Sequence, residues 1–253
     1  MFNKKIISII LAQLLFFSGL SFSSWYSKPD KEKYTELVRN FIEEGDLVFD
    51  VGAHIGNKTE SYLSCGANVI CFEPQKKCLK ILHEKFDTNE NIIIIDKGLS
   101  SKDGYIDFFQ CNRANTISTC SKEWITGSRF AQQGFRWGKP TKIEVTTLDK
   151  MIAKHGVPKF CKIDVENFEH EVLQGLSIKI PYLSFEFTYE YKENAKKCLE
   201  QLSEIGYDQF NFSLGETSCL FFNEWLPADI LIERIYKENK CGKDLWGDIY
   251  AKG

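Results

Sequence analysis

The chain has 253 residues, 43% of them apolar, with a formal net charge of −3. That length and apolar content exclude a disordered chain and suffice for a large hydrophobic core. The slightly acidic balance, with lysines scattered rather than clustered, gives no basis for a nucleic-acid partner held by phosphate neutralisation.

At the start, Lys4 and Lys5 lead an apolar run from Ile6 to Phe17, followed by Ser18, Gly19, Ser21, Ser23 and Ser24. This is the layout of a secretory signal cut after Ser23, or of an uncleaved membrane anchor if the run extends to Phe22. Either predicts a secreted or membrane-associated protein. A helix packed on the domain is the alternative. Residues 1–23 are therefore set apart, and 24–253 read as one domain. The nine cysteines are odd in number and contain no Cys-x-x-Cys. Several lie in apolar runs, as Cys71 and Cys161 do, so they read as reduced thiols acting as small hydrophobes. No His/Cys cluster has the spacing of a zinc site, and no metal is expected.

Tyr34 to Glu44 reads as an amphipathic helix with Leu37, Val38 and Phe41 on one face. Leu47 to Val51 follows as a continuously apolar strand, then the turn Gly52-Ala53-His54-Ile55-Gly56 and a short helix from about Asn57, stopped by Gly66. Asn68 to Phe72 is the second strand. Pro74 is placed to open the next helix, with Leu79, Leu82 and Phe86 inward. Ile92 to Ile95 is a third apolar strand. Tyr105 to Gln110 alternates as an antiparallel strand does, whereas Cys111 to Pro140 lacks periodicity and reads as an insertion over the carboxyl edge of the sheet. Lys142 to Val145 is a strand, and Thr147 caps a helix that Gly156 stops. The chain then gives strand Phe160 to Val165, helix Phe168 to Leu176, strand Tyr182 to Phe187 and helix Tyr189 to Ile205. An antiparallel pair, Tyr207 to Phe212 with Ser218 to Phe222, closes the sheet, followed by a helix from Leu226 to Tyr236 and a tail. Alternating strands and helices predict an α/β fold with a mostly parallel sheet.

Acids recur where these strands end: Asp50, Glu73, Asp96, Asp164 and Glu186. A buried unpaired carboxylate is costly, and the carboxyl edge of an open parallel sheet is where ligands bind. Glu73 lies 21 positions after Gly52, the spacing at which nucleotide-binding α/β folds present a carboxylate to ribose hydroxyls. The glycine motif is Gly-x-x-x-Gly, with His54 where dinucleotide folds need a glycine close to pyrophosphate. No Walker lysine pattern occurs either. An NAD-dependent oxidoreductase is thus disfavoured, and a nucleoside cofactor without pyrophosphate, S-adenosylmethionine, fits.

Three motifs in order, Asp50-Val-Gly-Ala-His-Ile-Gly-Asn-Lys-Thr59, Phe72-Glu-Pro74 and Lys162-Ile-Asp-Val-Glu-Asn-Phe-Glu169, with Leu99-Ser100 and Thr147-Leu-Asp149 between them, resemble the FkbM-type S-adenosylmethionine-dependent methyltransferases. The resemblance spans about residues 47–212. It implies a class I methyltransferase, Rossmann-like sheet of about seven strands with helices on both faces, and O-methylation of a sugar, glycan or natural-product hydroxyl. It places Gly52, Ala53 and Gly56 along the amino-acid tail of the cofactor, with Asp50 ordering the turn. His54 and Thr59 complete that motif. Glu73 is placed at the ribose, Asp96 with Gly98 at adenine, and Asp164 by the methionine amine or methyl group. Two positions depart from the family: His54 often is Asn, and Asn167 stands where Gly is usual, a residue that still tolerates left-handed backbone.

For methyl transfer the candidate bases are Asp164, Glu166 and Glu186, in that order, followed by His54 and His170. Trp124, Arg129, Arg136 and Trp137 of the insertion either contact the acceptor or pack the insertion on the sheet. The competing function is an exported, non-catalytic binding protein that keeps the fold, motivated by the signal-like N-terminus.

Overall fold

Leu47–Val51 (β1) carries no charge before Asp50 and lies at the centre of the sheet, where both faces are covered. The computed structural model describes residues 31–238 and 242–253. The signal or anchor expected at 1–23 lies outside them, and no helix among the described residues is long and apolar enough to cross a membrane.

The chain runs from helix α1 (Lys31–Val38) through β1, α2 (Asn57–Ser64), β2 (Asn68–Phe72), α3 (Lys76–Phe86) and β3 (Ile92–Ile95). Then come β4 (Gly98–Leu99), β5 (Gly104–Phe108), the short helices α4 (Lys122–Gly127) and α5 (Arg129–Gln132), and β6 (Thr141–Thr146). The second half is α6 (Leu148–His155), β7 (Phe160–Ile163), α7 (Glu169–Leu173), β8 (Tyr182–Thr188), α8 (Lys192–Ile205), β9 (Gln209–Leu214), α9 (Ala228–Glu238) and β10 (Trp246–Lys252). Seven strands form one sheet in the order β3-β2-β1-β7-β8-β10-β9, with β10 antiparallel to both neighbours. The Rossmann-like α/β fold expected from the sequence is therefore present. A second sheet, β4-β6-β5, lies in the region of the insertion.

Strand alternation divides the core. Val48 and Val69 point to a layer with Tyr34, Val38, Phe41, Tyr62 and Leu82, from α1 to α3. Phe49, Val51, Ile70 and Phe72 point to a layer with Leu148, Val172, Leu199 and Leu231, from α6 to α9. The register aligns the strand tips. Val51 pairs with Phe72 and with Ile163, Phe72 with Ile95, and Ile163 with Phe185. After β1, β2, β3 and β7 the next residues, Gly52, Glu73, Asp96 and Asp164, therefore leave the sheet at one level; Glu186 lies at that level inside β8, paired with Asp248, while Asp50 sits two residues short of it.

Four expected elements differ. The first helix ends at Val38 and passes into turns, so Phe41 and Ile42 reach the core from a loop. Pro74 does not open α3: the Gln75 N–H that would continue a helical turn donates to the Glu73 carboxylate, and Gln75 is extended. Ile92–Ile95 is the strand expected, but it is not covered on both faces: it lies at the sheet edge with Ile93 49% exposed, because only β2 pairs with it. Ser218 to Phe222 is not a strand. The antiparallel partner of β9 is β10, from the segment expected to be a tail. Thr147 does cap α6, accepting the Lys150 N–H, and Asn167 is left-handed at φ 66°.

Candidate functional site

The tips of β1, β2 and β7 enclose an open-mouthed cavity. Gly52, His54, Glu73, Gly98, Asp164 and Glu166 line it, and the insertion adds Thr116, Ser118 and Cys120. The insertion is tied over the sheet edge by Thr119, whose hydroxyl donates to the Glu166 carbonyl (2.6 Å), and by the Gln75 amide, which donates to the Asn115 carbonyl (3.2 Å).

Glu73 is buried, and its carboxylate is fixed by two backbone donors: His54 N–H to Oε2 and Gln75 N–H to Oε1, both at 2.8 Å. Each oxygen keeps a second acceptor direction, which is what two vicinal hydroxyls require. Burial pushes the Glu73 carboxyl up to about 7 against the pull of those N–H groups. Gly52, at φ 81°, is where the backbones of two loops meet: a Cβ there would lie 1.9 Å from the Asp164 carbonyl oxygen. His54 is left-handed at φ 52°, and its Nε2 finds no hydrogen-bond partner among the described residues. Burial lowers its pKa below the usual imidazole range, although Asn115 and Asp164 work the other way. His54, Glu166 and Asn167 are left-handed non-glycine residues in the loops after β1 and β7, the kind of local strain that marks functional loops.

The structure does not bring every candidate to the cavity. Asp50 is buried behind it, accepting the Thr59 hydroxyl at 2.6 Å, so Thr59 orders Asp50 and faces no ligand. Burial pushes Asp50 up to about 6. Ala53 packs in the α1–α3 core layer. Gly56 caps α2 and abuts Phe86 and Leu82, where a Cβ would lie 2.5 Å and 2.9 Å from their side chains. Asp96 is exposed and outside the lining. Glu186 lines a smaller cavity with Asn167, Glu169, Tyr191 and Asn194. His170 lines neither cavity. Trp124 is buried and donates to the Ile117 carbonyl, and Arg129 is paired with Glu190 at 2.5 Å, so these two pack the insertion. Trp137 donates to the same carbonyl, and exposed Arg136 bonds the carbonyls of Ala131 and Phe135.

Two residues without an assigned role prove central. Lys162 is 1% exposed, and its Nζ lies 3.2 Å from Asp164 Oδ2 and 2.8 Å from Asp248 Oδ1. A lysine inside an apolar strand was itself the signal for a buried acid partner. Burial drives its pKa down, but Asp164 and Asp248 more than reverse that, and it is raised overall.

These shifts predict how stability follows pH. Asp50 and Glu73 have folded pKa values near 6 and 7, above their ordinary 3.8 and 4.5. The folded chain holds protons that the unfolded chain has released. Their contribution is complete below pH 4 and is lost as pH rises through 6 and 7. The ligand-free protein is expected to melt roughly 5–10 °C higher at pH 5 than at pH 8, which calorimetry checks. Equal melting at both pH values would show that these carboxyls are not buried as described.

The methyltransferase FkbM domain model matches residues 50–211. Over 156 residues the chain is 31% identical to the hexuronic acid methyltransferase AglP of Haloferax volcanii, covering 59% of this chain and 57% of that protein. Similar solved structures include the precorrin-6y C5,15-methyltransferase of Geobacter metallireducens (TM-score 0.45, 9% identity, 93% of this chain and 98% of that one). Aeropyrum pernix fibrillarin with natively bound S-adenosyl-L-methionine is another (TM-score 0.43, 13% identity, 87% and 76%).

Proposed function

The chain belongs to the methyltransferase FkbM family, whose cofactor is S-adenosylmethionine, and on that premise we propose that it O-methylates a hydroxyl of a sugar, glycan or natural product. When bound, the cofactor supplies an electrophilic methyl group on a positively charged sulfur. Glu73 is the observation that carries the reading: a buried carboxylate, pinned by two backbone N–H groups, in a cavity wall beside Gly52 and Asp164. It holds the ribose hydroxyls, Gly52 leaves room for the tail, and Gly98 flanks the base. Asp164 and Glu166 line the same cavity, which makes them the carboxylates available to the acceptor hydroxyl. Alignment supplies most of the acceleration, and a carboxylate takes the hydroxyl proton as the new carbon–oxygen bond forms. The similarity to a hexuronic acid methyltransferase supports a sugar acceptor. The lysine-led apolar N-terminus supports export or membrane tethering, which fractionation of cells making the full chain would test.

Titration calorimetry with S-adenosylhomocysteine tests the cofactor site. Glu73→Ala is expected to weaken binding about 100-fold, roughly 3 kcal/mol, because a paired, desolvated acceptor is lost. Glu73→Gln should fall between, since an amide offers one acceptor oxygen. Incubation with methyl-labelled cofactor and a glycan extract then identifies the product by mass. A folded wild-type chain that binds neither cofactor nor product would favour the non-catalytic binding protein.

A further inference from the structure

The three acids named as rival bases come together. One oxygen each from Asp164, Glu166 and Glu186 lies within 4.8 Å of the others. The pairing of Ile163 with Phe185 sets Asp164 beside Glu186, and the left-handed turn at Glu166 and Asn167 brings the third carboxylate back to them. Among the described residues, the only cation paired with this cluster is Lys162, which bonds Asp164 and is shared with Asp248. Among the described residues no hydrogen bond or ion pair reaches the carboxylates of Glu166 or Glu186, and neighbouring Arg129 is taken by Glu190.

A second observation points the same way. Asn167 is only 9% exposed and lines the small cavity that Glu186 and Glu169 also line. Its Nδ2 donates to Ser121 Oγ at 3.1 Å, while its Oδ1 has no donor among the described residues. A buried amide oxygen with no donor costs stability unless something positive meets it. Three carboxylate oxygens thus lie together, and the donorless Asn167 Oδ1 belongs to a residue that borders the cavity Glu186 lines. Hard divalent cations take such oxygens, and two ligands opposite one another at roughly 2.4 Å from an ion stand about 4.8 Å apart.

We propose that Asp164, Glu166 and Glu186, with Asn167 Oδ1, form a binding site for a divalent cation of the magnesium, manganese or calcium class. The site stands on this geometry. Its consequence rests on the methyl-transfer reading: an ion held there polarises the acceptor hydroxyl, and it lets an acidic sugar approach three carboxylates that would otherwise repel it.

The test is titration of Mn²⁺ into the purified, metal-free full chain, followed by the loss of the free-ion paramagnetic resonance signal, with S-adenosylhomocysteine binding measured in parallel. One Mn²⁺ per chain is expected, bound more tightly than about 1 mM. Glu166→Gln and Glu186→Gln should each weaken it about tenfold or more. Asp164→Asn replaces either variant that does not melt cooperatively. A folded wild-type chain that takes up no Mn²⁺ while binding S-adenosylhomocysteine overturns the metal site alone, as does unchanged Mn²⁺ affinity in the variants. Mn²⁺ uptake without S-adenosylhomocysteine binding supports the site and overturns the methyl-transfer reading instead.

Discussion

Gly52→Ala is expected to abolish measurable S-adenosylhomocysteine binding and to lower stability by about 3 kcal/mol or more. Two effects act at this position. The backbone is left-handed, which penalises any Cβ by roughly 1–2 kcal/mol. The added carbon would also lie 1.9 Å from the carbonyl oxygen of Asp164, an atom of the main chain that no rotamer change can move. The loops after β1 and β7 must then separate, and they carry the cavity walls: Gly52 and His54 on one side, Asp164 and Glu166 on the other. Gly56→Ala is the informative contrast. It too is left-handed, but its Cβ would meet the side chains of Phe86 and Leu82, which can shift. It should destabilise by about 1–3 kcal/mol through overpacking, with a much smaller loss of affinity than Gly52→Ala. Thermal melts and calorimetry of both proteins check this. Equal loss of affinity in the two would mean that Gly56 faces the ligand after all.

That contrast shows where sequence stops speaking. Gly52 and Gly56 look alike in a motif, and only the packing of α3 tells them apart. The central strands were legible because a parallel strand covered on both faces is a nearly continuous apolar run, broken in β1 only by Asp50 and in β7 only by Lys162. The caps at Thr147 and Gly156 were legible because they act within a few residues. The acids at the strand tips were visible one by one, but their shared level depends on register. Register set Glu73, Asp96 and Asp164 at one level, and the edge position of β3 left Asp96 exposed and outside the cavity wall that Glu73 and Asp164 form. Strand β10 was missed because Gly247 within it reads as a break and its partners lie far away in the chain. With it went Asp248, which meets Lys162 across 86 positions. Motif spacing cannot express a contact of that range.

Lys162→Met is expected to be the second most damaging change, at about 3–5 kcal/mol near neutral pH. Methionine fits the volume and supplies no charge. Asp248 and Asp164 then lose the one ammonium that bridges them, and Asp248 remains largely buried, with 13% of its side chain exposed. The lysine also offsets the acidity gathered on this side of the sheet: burial raises the Glu166 and Glu186 carboxyls well above the usual carboxylate range, Asp164 and Glu169 push them further, and Lys162 opposes both. Acids whose pKa is raised in the fold favour it when protonated, so the stability they contribute is present at low pH and lost as pH rises. The Lys162→Met penalty should therefore be smaller at pH 5 than at pH 8, because stranded carboxylates can be neutralised by protons at the lower pH. Lys162→Met/Asp248→Asn should recover part of the loss, as coupled neighbours do in a double-mutant cycle. Denaturant melts of the wild type, both single variants and the double variant at the two pH values decide the matter. Strict additivity, with the same penalty at both pH values, would show that the ammonium is not what holds these acids together.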